Sequence, residues 1–331
     1  MPHRRQAFVT RAAGALPAPL TRRFAGSAHA ALEPDLALLL RLTDRLRWPE
    51  LERMTAPAAQ TEARREAAVL AGRRPRAAVR TLQIAGANGA LAARLYKACG
   101  DMLLIWMHGG GWVVGDLDTH DALCRRLACA SGASVLAVDY RRAPAARFPA
   151  AAEDAVAAVR WAHSHAGELG IDPAAVGVGG DSAGGNLAAV AALALREAVA
   201  FQVLLYPITD VSREHGSYAK FADGPWLTAS LMRWFRAHYV PGDADLHDPR
   251  VSPLLTRDLS GAPPAYVGVA GHDPLRDEGL AYARRLERAG NDVVLDFLAA
   301  QMHGYAELAG VSRSARAATL RAAHWVRARH Q

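Results

Sequence analysis

The stretch Gly179-Gly180-Asp181-Ser182-Ala183-Gly184-Gly185-Asn186 holds the residues best suited to chemistry. It contains Gly180-x-Ser182-x-Gly184 between an apolar run and a helix-like segment, the setting of a nucleophile elbow. A serine in so sharp a turn adopts a strained backbone. The flanking glycines are needed because a Cβ there would collide with the neighbouring strand and helix. The Ser182 hydroxyl then sits at a helix N-terminus, where the dipole and free N–H groups favour developing negative charge. Upstream, His108-Gly109-Gly110-Gly111-Trp112 follows another apolar run. Three consecutive glycines cost conformational entropy and make sense where the backbone must present N–H groups to a ligand. The two motifs together predict an oxyanion hole made by the N–H groups of Gly110, Gly111 and Ala183. Gly109, Gly180, Asp181 and Gly184 support the two turns, and His108 is expected to brace the glycine loop.

A serine nucleophile needs a base, and the base needs an orienting carboxylate. With a nucleophile elbow the chain order is serine, acid, histidine. The apolar run Tyr266–Ala270 ends in Gly271-His272-Asp273-Pro274, and Val293–Leu298 is followed by Gln301-Met302-His303-Gly304-Tyr305. Asp273 and His303 are therefore the expected acid and base. Asp277, about one helical turn further on, competes for the acid, and His272 competes for the base. A dinucleotide fingerprint beginning at Gly177-x-Gly179 would need a third glycine where Ser182 stands. No H-E-x-x-H and no Cys/His cluster is present, so neither a metal nor an organic cofactor is expected.

These residues have to be positioned by their surroundings. Glu33 to Arg73 has a helical pattern with an apolar stripe of leucines. Val79–Ile84 and Ala90–Tyr96 read as strands joined by Ala87-Asn88-Gly89, a hairpin signal. Thereafter apolar strands alternate with helices as far as Ser312–Arg329. That predicts a mostly parallel sheet covered on both faces, with the antiparallel pair at one edge. Residues 211–250 read as irregular and aromatic-rich.

Composition excludes several classes. The chain has 331 residues, 51% hydrophobic and 21% charged, which suits a globular protein with a full core. No apolar run reaches the roughly 18–20 residues needed to span a bilayer. Of 39 basic residues 37 are arginine, and five of these precede Glu33, leaving +2 of the +7 net charge for the rest. The basic excess thus belongs to the leader and does not predict nucleic-acid binding. Residues 1–31 are expected to be a poorly structured leader. Arg4-Arg5 resembles a twin-arginine signal, but Arg11 and Pro17 interrupt the apolar stretch that export requires. Cys99, Cys124 and Cys129 fit neither a disulfide framework nor a zinc site, which points to a reducing compartment, the cytoplasm.

Taken together, the motifs resemble the hormone-sensitive-lipase-like family of α/β-hydrolases, the bacterial family IV esterases. The resemblance runs from about Leu32 to Trp325 and also rests on Asp118-Thr119-His120-Asp121, Asp139-Tyr140-Arg141, Phe148-Pro149-Ala150 and Tyr206-Pro207. The G-D-S-A-G elbow matches the subgroup with Asp before the serine. The resemblance implies an α/β fold with an eight-stranded, mostly parallel sheet over residues 32–331. It also implies a helical cap from about 32–73 and 211–250, and hydrolysis of short- to medium-chain acyl esters. Trp48, Phe221, Trp226, Leu227, Met232, Trp234, Phe235 and Tyr239, beside Trp112, are the expected substrate-pocket residues. Relatives often pair through the last strand, so a homodimer is compatible with the resemblance. Amide or lactone hydrolysis by the same triad stays open, as does a non-enzymatic receptor on the same fold. The family commonly reads Y-R-L-A-P-E-H-P-F-P where Tyr140–Pro149 reads Y-R-R-A-P-A-A-R-F-P, so a local salt bridge usual in the family is expected to be missing.

Overall fold

The computed structural model describes residues 16–26, 29–46 and 48–329. Eight strands form one sheet: β1 Ala78–Gly86, β2 Gly89–Lys97, β3 Leu103–Met107, β4 Ser134–Val138, β5 Val176–Asp181, β6 Gln202–Leu205, β7 Ala265–His272 and β8 Val293–Met302. Their order is β1-β2-β4-β3-β5-β6-β7-β8. β2 is antiparallel to both β1 and β4, and every other pairing is parallel. β3, β4, β5 and β6 are buried along their whole length, because helices cover both faces.

The parallel strands direct their carboxyl ends to one side, and the loops that leave them there carry His108–Trp112, Ser182, Asp273 and His303. Two further segments stand apart from the sheet. The first holds the helices Pro34–Arg45 and Ala56–Leu70, and the second holds Gly216–Lys220 and Ala229–Tyr239. Residues 211–250 are thus more regular than their sequence suggests; Thr228 caps the helix Ala229–Tyr239 by accepting from Leu231 N. Glu33–Arg73, conversely, is two helices broken around Pro49. The segment read as a poorly structured leader also needs correction. Ala18–Ala25 is a helix that buries Thr21 and Ala25, with Phe24 O accepting from Arg41 Nη1 at 3.0 Å. Residues 1–15, 27 and 28 of that leader lie outside the described residues. No helix among the described residues is long and apolar enough to cross a membrane.

The Tyr140–Pro149 departure has a structural answer. Arg141 keeps a two-pronged bond to the fully buried Asp154, at 2.8 and 2.9 Å. Arg142 donates to the carbonyl of Gly115 beside the glycine loop. Arg147 donates to the carbonyls of Ala237 and Val240 at 2.7 and 2.8 Å, capping the C-terminal end of the helix Ala229–Tyr239. The substituted arginines therefore pin the loop and a helix of the second covering segment.

Asp154 also accepts from Ala87 N at 3.2 Å, so one carboxylate joins the β1–β2 hairpin to the loop after β4. Removing it leaves the Arg141 guanidinium with the carbonyl of Ala150 and with Glu153 at 3.7 Å, and frees the backbone donors of Ala87 and Arg141. Asp154→Ala is expected to cost about 3–5 kcal/mol, read as a lowered midpoint in guanidinium chloride; a shift below about 1 kcal/mol would mean the pair acts as an exposed one.

Candidate active site

Ser182 follows β5 and caps the helix Ala183–Ala194 with φ 55° and ψ −118°. The turn is this tight because nothing larger than hydrogen fits beside it. A Cβ on Gly180 would lie 2.3 Å from the backbone of Gly184, and one on Gly184 would lie 2.0 Å from Met107 O. Asp273 follows β7, with its Oδ1 accepting from Leu275 N at 2.8 Å. His303 follows β8. Its Nδ1 lies 2.8 Å from Asp273 Oδ2 and its Nε2 lies 3.0 Å from Ser182 Oγ. The three residues form one continuous hydrogen-bonded chain and are buried, Asp273 almost completely. The ring of Tyr206 packs edge-on against His303 at 4.7 Å between centroids. In this geometry Nδ1–H donates to Asp273, and Nε2 is free to take the serine proton.

The competitors lie elsewhere. Asp277 is engaged by Arg276 at 2.8 Å. The His272 ring faces Phe221 at 5.6 Å, and burial lowers its pKa.

The glycine loop is forced into shape from several sides. Gly110 and Gly111 have φ of 110° and 58°. A Cβ on Gly111 would meet the Phe235 ring at 2.1 Å, and one on Gly109 would meet the Asp181 carboxylate at 2.4 Å. His108 stacks on Tyr140 at 4.1 Å, and its Nδ1 bonds Gly109 O at 2.8 Å. Burial, then the charge on His120, lowers the His108 pKa to about 3. The ring is therefore neutral, with its proton on Nδ1. Gln60 reaches the same loop from the helix Ala56–Leu70, donating to Val113 O at 2.8 Å.

Beneath the loop lies a charge cluster in which Asp181, expected to support the turns, is joined by His120 and the half-buried Glu307, whose roles sequence reasoning missed. Asp181 Oδ1 accepts from Trp106 Nε1 and from Gly109 N, both at 3.2 Å. His120 Nε2 lies 3.2 Å from Asp181 and 3.4 Å from Glu307. Burial disfavours the imidazolium, but Asp181 and Glu307 overcome it and raise the His120 pKa to about 10. Burial alone would also raise the Asp181 carboxyl; the charge and hydrogen bond of His120 bring it below its ordinary value. His120, Asp181 and Glu307 are the one set of three close metal-type ligands among the described residues. His120 Nε2 contacts both carboxylates, and the imidazolium supplies the positive charge.

A cavity of about 900 Å³ opens over Ser182 and His303. Gly109, Gly110 and Gly111 line it, as do residues of both covering segments. Of the expected pocket residues, Trp48, Trp226, Leu227 and Phe235 line it, and Leu51 and Leu231 join them. Trp112, Phe221, Met232, Trp234 and Tyr239 do not. Trp112 is fully buried and stacked on Tyr239 at 4.4 Å, Phe221 packs beside His272, and Met232 lies in the core. An aromatic-rich segment gives no sign of which side chains face inward, because a short helix sets that. Glu66 also lines the cavity, and burial, followed by the charges of Glu307 and Glu62, pushes its carboxyl up to about 8.

Residues 104–307 match a family model described as the alpha/beta hydrolase fold. An ethyl acetate hydrolase of Pseudomonas putida is 38% identical over 301 residues, covering 86% of this chain and 95% of that protein. The carboxylic ester hydrolase LipN of Mycobacterium tuberculosis is 47% identical over 243 residues, covering 70% of this chain and 65% of LipN. Among solved structures, an ester hydrolase from the Lake Arreo metagenome, in complex with a bipyridine phosphonate derivative, superposes with a TM-score of 0.87. It is 40% identical, with 90% of this chain and 99% of that chain covered.

The His120 pKa is raised, so its contribution to stability is complete below 6.5 and disappears as pH climbs through about 10. The Asp181 pKa is lowered, so its contribution is complete above 3.8 and fades as pH falls below that. His120→Gln is expected to lose about 3–5 kcal/mol near pH 6. Denaturant unfolding at stepped pH should show the gap to the parent narrowing toward pH 10. A gap that stays constant with pH would show that the pair is not ionised.

Proposed function

The chain belongs to the hormone-sensitive-lipase-like family of α/β-hydrolases and is a carboxylic ester hydrolase; from that premise we propose how it works. Ser182 Oγ attacks the ester carbonyl carbon while His303 Nε2 takes its proton. The carbonyl π pair moves onto oxygen, where the N–H groups of Gly110, Gly111 and Ala183 receive it. Asp273 holds the imidazole tautomer and stabilises the imidazolium. The intermediate collapses, the C–O bond to the alcohol breaks, and His303 protonates the departing oxygen. Water, deprotonated by His303, then attacks the acyl-enzyme and releases the acid and free Ser182. The observation that carries this reading is the unbroken chain from Asp273 Oδ2 through His303 to Ser182 Oγ.

The cap of this reading comprises about 32–73 and 211–250, the segments that wall the cavity. Substrates are short- to medium-chain acyl esters, with the acyl or alcohol part against Trp48, Trp226, Leu227 and Leu231. The exposed thiols of Cys99 and Cys129 suit a reducing compartment such as the cytoplasm. Two chains pair across the outer edge of β8, where Val294, Leu295 and Phe297 are 37–48% exposed.

The decisive measurement is steady-state hydrolysis of p-nitrophenyl acetate, butyrate, octanoate and palmitate. The shorter esters are expected to turn over fastest. Ser182→Ala is expected to lose about three to six decades of kcat, and Asp273→Asn about four. Equal rates for parent and folded Ser182→Ala would rule out the serine mechanism. For the pairing, Phe297→Asp is expected to elute as a monomer where the parent elutes as a dimer, with mass read by light scattering. A parent that is monomeric throughout removes the β8 interface.

A further inference from the structure

A second depression, of about 600 Å³, shares Arg126 and Gly310 with the large cavity but includes none of Ser182, His303 or the glycine loop. Five arginines line it and no carboxylate does. Arg73, Arg74 and Arg76 come from the turn after the helix Ala56–Leu70. Arg126 comes from the helix Asp121–Ser131 and Arg316 from the helix Arg313–Ala328. Pro75, Ala130 and Leu320 add apolar surface between them.

The charge of this cluster is poorly compensated. Arg126 is only 7% exposed, and the acceptors of its guanidinium are the carbonyls of Ala122, Ala71 and Arg73, at 2.9–3.0 Å. Arg316 likewise donates to the carbonyls of Ala309 and Gly310. Arg74 has an acidic partner, Asp121 at 3.3 Å, but that carboxylate is shared with Arg94 and Arg125. Among the described residues, the other four guanidiniums of the depression have no carboxylate within 4.0 Å. Burial, and next the charge on Arg316, lowers the Arg126 pKa to about 10. A guanidinium buried beside another without an acid leaves positive charge that a bound anion would neutralise. Guanidinium forks match phosphate oxygens two at a time. The volume is also that of a small-molecule site.

We propose that this depression binds a phosphate-bearing ligand carrying at least two negative charges, with Arg126 at its base and Arg73, Arg76 and Arg316 at its exposed rim. The inference is independent of ester hydrolysis, because no residue of the triad or of the glycine loop takes part.

The test is titration calorimetry of the full chain with inorganic pyrophosphate at ~0.15 M ionic strength, alongside sedimentation with phosphatidylglycerol vesicles. Two triple variants are compared. R73A/R76A/R316A removes the rim, and R257A/R284A/R288A removes three arginines elsewhere. All six side chains are exposed, so both variants should fold and hydrolyse a short ester as the parent does. Pyrophosphate binding that the rim variant weakens by about tenfold or more, and the control variant leaves intact, supports a site for a free phosphorylated compound. The same pattern with vesicles alone supports the site and identifies its ligand as a lipid headgroup. Equal losses in the two variants, or no saturable binding to either probe, overturn the proposal.

Discussion

Among the described residues, the closest glycine contact is the one between the helix after Ser182 and the end of β3. A methyl group on Gly184 would stand 2.0 Å from the carbonyl of Met107, well inside any tolerable approach. Only backbone against backbone fits there. The constraint sets the Ser182 backbone at positive φ and brings the glycine loop beside the serine, since that loop leaves β3 one residue after Met107. The rest of the site is arranged around this contact. β7 and β8 add Asp273 and His303 from the same end of the sheet.

The second organising feature is electrostatic. A buried imidazolium, His120, lies between Asp181 and Glu307. Asp181 directly precedes the nucleophile and holds Gly109 N, and Glu307 lies four residues after His303. One small ion cluster therefore ties together the glycine loop, the elbow and the loop of the base. Such a cluster is costly to desolvate and gains little net stability. Its value is geometric, since it keeps three separate loops at fixed distances.

The arginine-rich composition has uses beyond net charge. Arg142 and Arg147 stand where the family usually has apolar or other residues, and each now holds carbonyls that define the loop or a covering helix. Arg126 sits between two cavities of opposite character. On one side are acidic side chains such as Glu66 and Glu307, and on the other a ring of guanidiniums. Long side chains with a planar donor fork can serve as staples wherever carbonyls are exposed, which lets such a composition remain compatible with the fold.

The sequence by itself determined whatever depends on local backbone chemistry. The glycine pattern around Ser182, the run of three glycines after His108 and the alternation of apolar strands with helices each have a single good structural reading. Asp273 and His303 were legible because each follows an apolar strand in the required order. What the sequence could not decide depends on which way a side chain turns once helices pack. Trp112 and Trp226 are both aromatic and near the site, yet packing on Tyr239 buries one and the other lines the cavity. The helices Gly216–Lys220 and Ala229–Tyr239 are bracketed by bonds to distant parts of the chain, Ser217 Oγ donating to Pro274 O and Ser230 Oγ to Glu52, and Ala18–Ala25 packs with the following helix. The link among His120, Asp181 and Glu307 spans residues nearly two hundred positions apart, and only tertiary folding makes such charges neighbours.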